Sequence, residues 1–141
     1  FSKATLIMGR IERADLKEAN FSYTSLIDLK ATGSSFNSAD VRGADLTNAT
    51  LKRVDFSEAL LDGAILERAD LRGANLKNAS LVGTNLRYAH LENADLSKTN
   101  FAGADLSGAN LTLAVITGAR FTETVWCQTV MPNGEINNSS C

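Results

Sequence analysis

From Phe1 to Trp126 every fifth residue of the chain is large and apolar, with Ala31 the single exception. Neither regular secondary structure has that period. An α-helix turns about 100° per residue, so leucines five apart, such as Leu66, Leu71 and Leu76, would drift about 140° around its surface at each step. A strand alternates faces, so an odd step would send Leu71 to the face opposite Leu66 and Leu76. A second regularity accompanies the first. Two residues before each large one stand 25 positions from Ala4 to Thr124, and 17 of them are Ala, so a small side chain is set beside nearly every large one, Leu29 and Val54 being the bulky exceptions. The residue between the two is commonly Asp or Asn, and the two that follow are polar, with eight of the ten glycines in the second of them.

The period makes sense once five is divided into a short extended piece and a corner. Alternation puts the small and the large residue on the same inner face and their neighbours outside. The remaining residue absorbs the odd count by turning the chain, and Gly suits it because a tight corner favours φ > 0. Corners of one hand repeat into a coil whose turns pair about 4.8 Å apart, which predicts an all-β solenoid. The scarcity of proline agrees, since Pro132 alone lacks the N–H that a ladder needs.

The aromatic residues hint at four sides to the coil. A period of 20 places Phe1, Phe21, Phe101 and Phe121 in one column, Phe36 and Phe56 in the next, and Leu6, Leu26, Leu46, Leu66, Leu86, Leu106 and Trp126 in a third. These form the expected core ladder. About six coils then make a rod of roughly 30 Å. Each buried large side chain contributes about 1.5–3 kcal/mol, and Ala beside it keeps the coil narrow, a bulkier partner costing typically about 1–3 kcal/mol. Leu29 beside Ala31 exchanges volume between the two inner positions.

The motif A-[DN]-L-x-x, read in ADLRG at 69–73, ANLKN at 74–78, ADLSK at 94–98, ADLSG at 104–108 and ANLTL at 109–113, resembles the pentapeptide-repeat family, and the resemblance covers residues 1–127. It implies a right-handed quadrilateral β-helix, the handedness coming from the resemblance alone. Residues 128–141 are then expected to form a C-terminal capping tail, because an open solenoid end exposes core and strand edge. The five-residue register is read as ending at Trp126, with Leu113, Val115 and Val125 under the returning tail.

Cys127 and Cys141 bracket that tail. A structural disulfide is expected, with a metal pair or a redox site as the alternatives; two thiols alone make a poor zinc site. A disulfide implies an oxidising compartment. The pattern C-x4-P-N-G-x6-C at 127–141 is similar to tails of pentapeptide-repeat proteins of cyanobacteria and chloroplasts, which implies the thylakoid lumen or the periplasm, with a signal or transit segment removed ahead of Phe1. At the other end, Ile7, Met8 and Ile27 stand at outward positions, under a missing cap or as a self-association patch.

The formal net charge of −2, with both signs interspersed, steers neither nucleic acid nor an anionic membrane, and no apolar run is long enough to span one. His90 is the only histidine and occupies an outward position, so no His-based triad or multi-histidine metal site is expected. No phosphate-binding glycine loop occurs. The carboxylates scatter over all four sides, giving no acid–base pair. Lys52, Arg53 and Arg72, with Arg13 further along, gather on one side, although Glu12 and Glu92 share their columns. The reading is therefore a non-enzymatic scaffold or protein-interaction module without metal or cofactor, its protein partner unknown, as a monomer or weak end-to-end dimer. The resemblance supplies the alternative, a DNA-mimicking inhibitor of DNA gyrase, which the near-neutral charge disfavours.

Overall fold

One pentad, Asp95-Leu96-Ser97-Lys98-Thr99, shows how the backbone is satisfied. Leu96 and Lys98 donate their N–H groups forward, to Val115 O at 2.8 Å and Thr117 O at 2.9 Å. Asp95 donates backward to Ala74 O at 2.9 Å, and Thr99 closes its own turn on Leu96 O at 3.2 Å. That leaves Ser97 N–H, which the Asp95 carboxylate accepts at 2.9 Å. All five donors are thus paired, four with backbone and one with the Asp side chain. The computed structural model describes residues 8–141, and the scheme recurs along them. Phe1, Leu6 and Ile7 lie outside the described residues.

Parallel bridges join residues 20 apart without a break, as in the series Arg10, Lys30, Thr50, Asp70, His90, Asn110 and Val130. Four pentads therefore complete each coil. The extended piece is too short to be a strand: one residue bridges, and the two after the large residue form the corner. Lys98, the second of these, has φ 59°, and its counterparts from Met8 to Gln128 are likewise positive. A positive φ at the third turn residue is the type II signature, which glycine adopts without cost. Here Arg, Glu, Tyr and even Leu113 (φ 60°) occupy it as well, because the ladders on either side hold the corner in place.

The inner positions are filled as volume dictates. Phe21, Leu26, Phe36, Leu46, Phe56, Leu66, Leu86, Phe101 and Leu106 are fully buried, and Leu29 and Ala31 both have no exposed surface. Phe36 and Phe56 meet with ring centroids 5.0 Å apart, and Phe101 and Phe121 stack at 5.3 Å. Trp126, half-buried, lies 5.0 Å from Phe121 at the end of its column. At small positions occupied by Thr84, Thr99, Thr124 and Thr129 the hydroxyl donates to the large residue's carbonyl one coil earlier, as from Thr84 to Leu61 O at 2.9 Å and from Thr99 to Leu76 O at 2.7 Å. Among the described residues no buried hydroxyl at a small position is left unpaired.

The tail differs from the sequence reading. The coil runs past Trp126 by one more pentad: Gln128 has φ 55°, Thr129 is buried with its hydroxyl on Leu106 O, and Val130 bridges Asn110. Only then does the chain turn back, in the hairpin of β1 (Thr129–Val130) and β2 (Ile136–Asn137) around Pro132-Asn133-Gly134. Leu113 and Val115 are not covered by it; they are 68% and 49% exposed, because the hairpin folds beyond them, touching this row through Leu113 N–H on Pro132 O. Val125 is half-buried.

Candidate functional site

The Asp and Asn of the repeat are spent on the backbone. Thr47, Ser57, Lys77, Ser107 and Thr112 N–H groups each bond to the side-chain oxygen two residues earlier, at 2.9–3.1 Å. After Ser80 the acceptor comes from the preceding coil, Asp62 reaching Val82 N at 2.9 Å. These side chains are held in place and belong to the rod's scaffold. The Asp95 carboxyl lies below its usual value, chiefly because Ser97 hydrogen-bonds to it. His90 is exposed, its Nδ1 3.2 Å from Glu92 Oε1, which also accepts from Asn110 Nδ2 at 3.0 Å. Among the described residues no group of His, Cys, Asp and Glu is arranged to hold a metal ion. Among the described residues no helix is long and apolar enough to cross a membrane.

One corner of the rod faces solvent in an organised way. Folding at 20 residues stacks Arg13, Gly33, Arg53 and Gly73 in one row and Thr32, Lys52 and Arg72 in the row beside it. Each arginine of the first row lies along the glycine of the next coil: a Cβ on Gly33 would be 3.7 Å from Arg13 Cγ, and one on Gly73 3.5 Å from Arg53 Cγ. Two notches open between these stems and share Thr32. One, of about 470 Å³, is lined by Glu12, Arg13 and Thr32; the other, of about 410 Å³, by Thr32, Lys52, Arg53 and Arg72. Lys52 and Arg72 both pair with Asp70, at 3.3 and 2.6 Å. Burial pushes the Asp70 carboxyl up, but hydrogen bonds from Arg72 and Lys52 outweigh it and bring the pKa down to about 2. Arg13 and Arg53 make no ion pair among the described residues. The sequence brings these four cations to one side; the alternation of arginine with glycine that opens the notches appears only once the coils are stacked.

A second recess, of about 310 Å³, separates Tyr88 from the Cys127–Cys141 disulfide, whose Cα atoms are 4.9 Å apart. The Tyr88 ring covers Gly108, where a Cβ would come within 2.5 Å of it, and Arg68 and Arg87 sit 5.5 and 5.7 Å from its centroid. Arg87 is drawn to Asp105 at 3.3 Å. The tail is fastened here by Ser140 N–H on Trp126 O at 2.9 Å and Gln128 N–H on Asn138 Oδ1 at 2.8 Å. At the other end Met8 is 71% exposed and Ile27 half-buried.

The repeat itself decides the family. The family model for pentapeptide repeats, which spans eight copies of the repeat, matches three times, over residues 14–53, 49–87 and 89–125. The chain belongs to the pentapeptide-repeat family. Its coil is the right-handed quadrilateral β-helix of that family. It is similar to the pentapeptide-repeat protein Rfr23 of the cyanobacterium Cyanothece 51142, with 28% identity and a TM-score of 0.61 over 86% of this chain and 90% of that one. Two further similar structures are QnrB1, a plasmid-mediated fluoroquinolone resistance protein (22% identity, TM-score 0.46, 92% and 73% of the two chains), and a pentapeptide-repeat protein from the Arabidopsis thaliana thylakoid lumen (28%, 0.40, 67% and 63%). No curated protein sequence matches this pentapeptide-repeat chain.

Proposed function

We propose that this pentapeptide-repeat protein is a non-enzymatic interaction scaffold, a rod that presents fixed rows of side chains to a protein partner. The observation that carries the reading is the use of the repeat's own groups: small, large and Asx positions are consumed in holding the coil, and a notched, cation-lined corner is left facing solvent. Residues 1–127 serve as the solenoid and 128–141 as its C-terminal cap, the first residues of the cap extending the last coil. The disulfide and the resemblance of the tail support residence in the thylakoid lumen or periplasm.

Chemical cross-linking of the full chain in lumenal or periplasmic extract tests the scaffold reading, which expects a stoichiometric protein partner. A DNA supercoiling assay tests the alternative: inhibition of gyrase at stoichiometric protein overturns the scaffold reading. Thiol titration of protein isolated from its native compartment and denatured without reductant tests the location. No free thiol is expected, and two free thiols would remove the argument for an oxidising compartment.

A further inference from the structure

Resting on the interaction reading above, we infer that the corner from Arg13 to Arg72 binds an extended, acidic segment of a partner protein. The cations at this corner are of two kinds. Lys52 and Arg72 share Asp70 and so leave one positive charge between them. Arg13 and Arg53 make no ion pair among the described residues, and each lays its stem along the glycine of the next coil while remaining exposed and lining a notch. A planar guanidinium held in this way offers a carboxylate two parallel N–H groups.

The spacing selects the form of the ligand. From Arg13 to Arg72 is three coil steps, about 14 Å at the sheet spacing. Alternate side chains of an extended peptide fall about 6.8 Å apart, so three acidic residues at alternate positions span the same distance. Glu12, paired with Arg10 at 3.0 Å, and Glu92 stand at the two ends of the stretch and bound it. A nucleic-acid strand, whose phosphates continue past both ends, would run into these carboxylates; a short acidic stretch would not. The Thr32 side of the notches leaves room for the small residues between the acids.

Isothermal titration of the full chain at low salt uses a short peptide alternating threonine with three glutamates, its glutamine counterpart, and a single-stranded oligodeoxynucleotide. The glutamate peptide is expected to bind about tenfold tighter than the glutamine peptide, and Arg13→Gln with Arg53→Gln to remove that difference. Gln removes the charge, keeps the stem as far as Cδ and adds no new backbone demand at these positive-φ corners, and circular dichroism checks that the variant is folded. Equal binding of the two peptides, tighter binding of the oligonucleotide, or an equal loss in Arg87→Gln would overturn the proposal. A partner cross-linked equally well by the Arg13/Arg53 double variant would overturn it too while leaving the scaffold reading standing on another surface.

Discussion

Replacing Asp70 with Asn should make the protein less stable at neutral pH by about 1 kcal/mol, with a deficit that vanishes in acid. In the native protein the carboxylate accepts from Arg72 and Lys52 and its pKa falls from 3.8 to about 2. At about 1.4 kcal/mol per unit, a shift of that size has an upper bound of about 2.5 kcal/mol. Both cations are close to half exposed, at 48% and 43% of their side chains, and solvent screening brings the figure to about 1 kcal/mol. Because the folded pKa is depressed, the contribution is complete above the unfolded value near 4 and is lost as the pH falls through about 2. Asn retains an oxygen for Arg72 N–H, so the substitution removes the charge and keeps the backbone contact. Urea denaturation of both proteins at pH 7 and pH 2 measures the difference, equivalent to about 3 °C in Tm for a chain of this size. A deficit equally large at pH 2, or none at pH 7, would refute the reasoning.

Leu113→Gly should stabilise by about 0.5–1 kcal/mol, since an exposed Leu at φ 60° carries a left-handed penalty that outweighs the entropy glycine adds to the unfolded chain; a loss in Tm contradicts this. Thr84→Val should cost about 0.5–1.5 kcal/mol by deleting the bond to Leu61 O while keeping the shape, as read by urea denaturation. Cys141→Ser opens a loop with a sequence separation of 14 residues and should cost about 3 kcal/mol in the chain-entropy model, with faster hydrogen exchange at Ser140 N–H; unchanged exchange there would mean the tail is held without the bond.

The coil was legible because its constraint is local: Leu66 must share a face with Ala64 and cannot share a strand face with Leu71, and those two facts force a corner in every pentad. The reason for Asp95 was not legible. It depends on which N–H remains after bonds to the coils above and below, and those partners lie about twenty residues away in either direction. Tyr88 and Leu113 at positive φ run against intrinsic preference, and tertiary ladders override it there. Thr129 and Met131 continue the small–large spacing, but Cys127 and Pro132 flank them and hid the extra pentad. The notches needed two columns read together, Arg13 and Arg53 being separated in sequence by the same interval that makes them neighbours in space.

The claim on which all of this stands is that twenty residues of chain equal one step along the rod. Spin labels on a cysteine introduced at Lys17, paired in turn with one at Lys77, Ser97 and Thr117 while the native cysteines remain joined, measure it by pulsed electron resonance. The expected separations rise in even steps through about 14, 19 and 24 Å. Distances that fail to lengthen in order, or that lengthen by unequal steps, would contradict the coil.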